Sequence, residues 1–121
     1  MAVSNLILTA LSTNLFQDTN NAAAGVVIKA SSGTLYVVYV DNSANGAASY
    51  VKLYDTAGAV IVGTTVPDWV IKVAASFKGN VLIATSGSAF ASGLVVATTT
   101  AGGTAGNTGP SSAVVVEIAY T

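Results

Sequence analysis

The sequence predicts a single all-β domain spanning residues 1–121, an antiparallel β-sandwich of the jelly-roll kind with eight or nine short strands. Three observations carry this prediction. Val and Thr, whose β-branched side chains suit a pleated surface better than a helical turn, recur in short bursts. Clusters of Gly, Asn, Asp and Pro separate the bursts at near-regular spacing, as turns between strands do. Charge is scarce, with 7% of the 121 residues charged against 52% hydrophobic, so wet surfaces must be built from Ser, Thr and Gly.

The elements follow in order. Residues 4–11 read as a strand around Leu6, Ile7 and Leu8, and the N-terminal stretch 1–24 is either a contact arm or the first strand of the sandwich. Asp18 to Gly25 offers a cap and three alanines, enough to start one helical turn but too short to hold it. Strands are expected next at 25–30 and 34–41. In the latter, Leu35, Val37 and Tyr39 alternate with Tyr36, Val38 and Val40, and neither set is polar. Such a strand is either central and covered on both sides, or a subunit interface carried by Tyr36, Val38 and Val40.

The turn cluster Asp41-Asn42-Ser43-Ala44-Asn45-Gly46 leads to a strand at 49–54, with Val51 and Leu53 on one face and Tyr50, Lys52 and Tyr54 on the other. Asp55-Thr56-Ala57-Gly58 connects it to a strand at 59–62, and Pro67 opens the next at 69–73, headed by Trp69. Strands at 80–84 and 93–98 precede a Gly/Thr/Ala-rich segment, 98–112, expected to be a flexible loop. The last strand, 113–120, puts Val114, Val116, Ile118 and Tyr120 opposite Val115, Glu117 and Ala119, a core side and a wet side.

The composition excludes several chemistries. The chain has no His and no Cys, so neither a zinc site of N and S ligands nor a His-activated nucleophile can be assembled. Its four Lys and five acids give a net charge of −1, which leaves no basic footprint for nucleic acid. Lys78 to Glu117 is free of charge but broken by Gly79, Gly87, Gly93, Gly102, Gly103, Gly106, Gly109 and Pro110, so no membrane-spanning helix is expected. The apolar run from Leu6 to Leu11 lacks the basic residues of a secretory signal, and synthesis in a cytoplasm without secretion by that route is expected. Asp41, Asp55 and Asp68 flank turns, where carboxylates ordinarily accept backbone N–H groups. Asp41 and Asn42 with Asp55 are the only candidate oxygen-only cation site, and turn formation is the expected role. No cofactor and no catalytic residue is expected. Tyr50 and Tyr54 around Lys52, with Trp69, form either an ordinary sheet face, an oligomer contact or a sugar-stacking platform.

The runs Ser32-Gly33-Thr34-Leu35-Tyr36-Val37-Val38-Tyr39-Val40-Asp41-Asn42 and Tyr50-Val51-Lys52-Leu53-Tyr54-Asp55 resemble small virion proteins of tailed bacteriophages. So do Val62-Gly63-Thr64 with Val66-Pro67, the stretch from Phe90 to Thr99, and the closing stretch from Val114 to Tyr120. The resemblance covers most of the chain from Ser32 onward and is to capsid cement or decoration proteins, including those of phages infecting cyanobacteria. It implies a non-enzymatic structural protein on the virion surface that binds the major capsid protein and itself, as a trimer, and no nucleic acid or membrane. A carbohydrate-binding or host-adhesion module of a phage tail, using Tyr50, Tyr54 and Trp69, is the alternative. With so few charges, attachment is expected to rest on apolar and backbone contacts, since an exposed ion pair adds only ~0–1 kcal/mol. Leu6, Ile7 and Leu8 are the expected anchors of an arm adding to a neighbour's sheet edge.

Overall fold

The computed structural model describes residues 14–121, which form eight strands and no helix. These are β1 (Asn14–Asp18), β2 (Val26–Lys29), β3 (Gly33–Asp41), β4 (Ser49–Tyr54), β5 (Trp69–Val73), β6 (Lys78–Phe90), β7 (Leu94–Thr99) and β8 (Val115–Tyr120). One sheet has the order β1-β8-β3-β6, the other β2-β7-β4-β5, and every pairing is antiparallel. First pairs with eighth, second with seventh, third with sixth and fourth with fifth. The chain is thus one long hairpin, folded at the β4–β5 connection and rolled into two sheets, the jelly roll expected from its spacing.

Strands at 49–54 and 69–73 occur as expected, and those at 25–30, 34–41, 93–98 and 113–120 differ only at their ends. The expected strand at 80–84 is the middle of the longer β6. No strand forms at 59–62: the N–H groups of Thr64 and Thr65 both turn back onto the Ile61 carbonyl, closing a turn instead of joining a sheet. Asp18 ends β1 and caps a turn, accepting the Asn20 N–H at 3.0 Å, so the helical start weighed at 18–25 is replaced by strand and turn. The expected strand at 4–11 lies outside the described residues.

The core between the sheets is built from alternate residues of both. Val116 and Ile118 of β8, Val51 and Leu53 of β4, and Leu94 and Val96 of β7 are fully buried there, with Phe16 and Tyr120 packed at its margin. On β3 the inward residues are Leu35, then Val38 and Val40. The change of phase is caused by a bulge at Tyr36: β8 pairs Tyr120 with Leu35 and Ala119 with Val37, leaving Tyr36 as the extra residue. This bulge is why strict alternation divides the core residues Leu35, Val38 and Val40 between two faces. β6 bends with it, since Ser88 opposes Leu35 while Ile83 opposes Val37. Gly87 sits in that bend at a φ of 79°, where an added Cβ would lie 2.2 Å from Thr34 Cγ2, so only glycine fits.

Side-chain amides lock the connections at one end of the sandwich. Asn42, fully buried, donates to the carbonyls of Ala47 and Ala74 and accepts from Asn45 Nδ2 and Ser49 Oγ. Asn45 in turn holds Ser112 through both its backbone N–H and its carbonyl. Buried amides are tolerated here because their donors and acceptors are satisfied.

Candidate functional site

The carboxylates act as turn clamps. Asp55, at the end of β4, accepts N–H groups from Ala91, Ser92 and Gly93, which lowers its pKa below the usual carboxylate value. Its own N–H donates to Asp68 at 2.6 Å. Asp41 accepts the N–H and hydroxyl of Ser43 and is likewise lowered. The expected role at turns is met, although Asp55 closes a distant connection, not its own. Asn42 binds Ser49 at the start of β4 whereas Asp55 follows its other end, so Asp41, Asn42 and Asp55 do not converge on a cation. Among the described residues no group of three or more His, Cys, Asp or Glu could hold a metal ion.

The Tyr50, Lys52 and Tyr54 face of β4 is covered by the chain itself. The β4–β5 connection lays Val60 and Val62 over Tyr54, Val95 and Ala97, forming a second small core outside the sheet. The β7–β8 connection covers the rest: Lys52 Nζ donates to the Gly103 and Gly106 carbonyls at 2.7 and 2.8 Å. A Cβ added at Gly102 would lie 2.8 Å from the Tyr50 ring. The two coverings meet where Gly63, at a φ of 98°, lies against Asn107. The segment 98–112, expected to be flexible, is held by these contacts, and the Thr100 N–H donates to the Thr108 carbonyl across its base. Lys52 is 0% exposed, and burial pushes its ammonium below the ordinary lysine range. Tyr54 is raised by burial, its hydroxyl without a hydrogen-bond partner among the described residues.

The interface residues expected from sequence therefore separate. Val38, Val40 and Tyr54 are at most 1% exposed and pack inside the chain, so they do not carry an intermolecular contact. Trp69 is half-buried against the main core, and Tyr50 lies half-buried beneath the β7–β8 connection. These positions leave Tyr50, Tyr54 and Trp69 without a common open platform. Tyr36 is half-buried at the bulge, while Leu6, Ile7 and Leu8 lie outside the described residues.

Among the described residues, no hydrogen bond or core contact places either long connection over the outer face of the β1-β8-β3-β6 sheet. In register across its four strands run Leu15, Ala119, Val37 and Ile83, an apolar row whose ends, Leu15 and Ile83, are 68% and 59% exposed while Val37 is half-buried and Ala119 buried between them. Beside it lies a polar row, Gln17, Glu117, Tyr39 and Asn80, in which Gln17 Nε2 donates to Glu117 Oε2 at 2.7 Å. This face was not singled out from sequence. Leu15 belongs to a strand with too few apolar residues to be recognised, and Ile83 joins the row only through the β3–β6 register. Comparison with protein-family models, curated proteins and solved structures finds no match to this chain.

Proposed function

We propose that this chain is a non-enzymatic structural protein of a tailed-phage virion, a cement or decoration protein that docks on major capsid subunits and associates with itself. The observation that supports this most directly is the exposed pair Leu15 and Ile83 at the ends of an apolar row on one outer sheet face, flanked by a polar row. Such a face offers apolar area for contact with a neighbour and a hydrogen-bonding margin around it. The jelly roll also serves in viral capsid proteins, though the fold alone hosts lectins and cupins as well. The resemblance of the 32–42 and 50–55 runs to phage virion proteins points the same way. The carbohydrate reading has lost its support, because its tyrosines are buried or covered.

The test is attachment to phage heads stripped of decoration. The unchanged chain is expected to bind in many copies per head and to stay bound between about 0.1 and 1 M salt, where the screening length falls from ~10 to ~3 Å. Ile83→Lys, at an exposed position, is expected to abolish attachment without unfolding the protein. Release by salt alone, or full binding by Ile83→Lys, would overturn the reading.

A further inference from the structure

Among the described residues, the four sheet edges are not equally protected against pairing with another chain. β2 is only four residues long and carries a bulge between Val27 and Lys29, and β6 shifts register twice along β3. β1 mixes apolar residues with Asn14, Gln17 and Asp18. β5, with the sequence Trp-Val-Ile-Lys-Val, runs in unbroken register along β4, and its other edge, unpaired among the described residues, lacks bulge and proline. Bulges, short strands and charge are the usual edge defences, and β5 has only Lys72. Near it, Val70 and Val66 are 43% and 71% exposed.

We propose that a second copy of this chain pairs with β5 antiparallel, about a twofold axis at Val70, joining two four-stranded sheets into one. A twofold axis between antiparallel strands passes through a residue facing its own copy, so the choice is among Val70, Ile71 and Lys72. Centring on Lys72 sets two ammonium groups against each other, and centring on Ile71 sets each Lys72 against Val70. Centring on Val70 sets Val70 against Val70, Trp69 against the partner's Ile71, and Asp68 against the partner's Lys72, three favourable pairs. Both charges are available: Lys72 is exposed, and Asp68, also exposed, engages Oδ2 with the Asp55 N–H while Oδ1 has no partner among the described residues. Continued past Pro67, the same register carries Val66 towards the partner's Ala74. There a cleft of about 260 Å³ opens between the edges of β5 and β6, lined by Lys72, Val73, Ala74, Phe77, Asn80 and Val81. The exposed valine is thereby brought to the rim of this cleft, at Ala74. This contact is argued from β5 alone and holds without the virion reading; it closes a pair, not the trimer that the resemblance implies.

Sedimentation of the full chain at tens of micromolar is expected to show a dimer. Val70→Lys, which brings two ammonium groups together on the axis, is expected to give a monomer. Lys72→Glu, facing Asp68, is expected to raise the dissociation constant at least about tenfold. The natural chain has no cysteine, so position can be read by cross-linking. Val70→Cys is expected to form a covalent dimer on mild oxidation, and Lys72→Cys is not. Ile83→Lys, the variant that tests capsid attachment, is expected to leave the dimer intact. A monomeric unchanged chain, a trimer indifferent to Val70→Lys, or a Val70→Cys that stays uncross-linked would each overturn the proposal.

Discussion

Lys52 is held where a lysine ordinarily is not, fully buried on the outer side of a sheet, with two glycine carbonyls as its acceptors. Desolvation favours its neutral form, so the folded chain releases this proton at lower pH than the unfolded chain, whose lysines titrate near 10.4. Between the two values the unfolded state binds more protons, and stability therefore rises with pH across that window. Lys52→Met is expected to remove this alkaline rise. At neutral pH it is also expected to lose about 1–2 kcal/mol, as the Gly103 and Gly106 carbonyls lose their donor. Denaturant titrations of both proteins at several pH values check this, and parallel pH profiles would refute it. Sequence alternation placed Lys52 correctly on the face opposite Val51 and Leu53. It gave no sign that a distant, glycine-rich connection lies over that face, since backbone carbonyls leave no residue-type signature.

At the level of elements, the bulge at Tyr36 decides which side chains of β3 enter the core. Removing Tyr36 would leave Leu35, Val38 and Val40 all pointing inward, because the remaining residues alternate regularly. Removing Tyr39 instead would make Val38 and Val40 neighbours, forcing one of them out at a cost of about 1.5–3 kcal/mol in burial alone. The Tyr36 deletion is therefore expected to lower the unfolding midpoint much less than the Tyr39 deletion. Equal losses in thermal unfolding would show that the bulge has no such role. The same bulge explains why strand 34–41 was legible as a strand while its contacts were not. A strict period of two assigned Leu35 and Val38 to opposite faces, and one extra residue puts both inside. Strands β4 and β5 were legible to the residue because Asp55 and Pro67 mark their boundaries. β1 was not, since Leu15 and Phe16 are its only apolar residues and its partner β8 lies at the far end of the chain.

Across the whole molecule, the composition translates into an uneven coat. One outer sheet face is covered over Tyr50, Lys52 and Tyr54 by the β4–β5 and β7–β8 connections, and the other exposes Leu15 and Ile83 at the two ends of its apolar row. The sandwich itself was legible from strand spacing; the difference between its faces depends on which loop folds over which sheet. The rolled hairpin also dictates an order of assembly. Among the described strands, only β4 and β5 are both consecutive and paired, whereas β1 and β8 bring Asn14 against Tyr120. Closing that last loop before its contacts reward it is slow, so refolding is expected on the millisecond-to-second scale of non-local β topologies. Val51→Ala, in the local hairpin, is expected to slow refolding, while Phe16→Ala is expected to leave refolding unchanged and speed unfolding. Stopped-flow rates for the two variants check this, and a reversed pattern would show nucleation at the termini. A newly made chain would then hold β1 unpaired until β8 is synthesised, so the β1–β8 seam closes only after every strand between the two has left the ribosome.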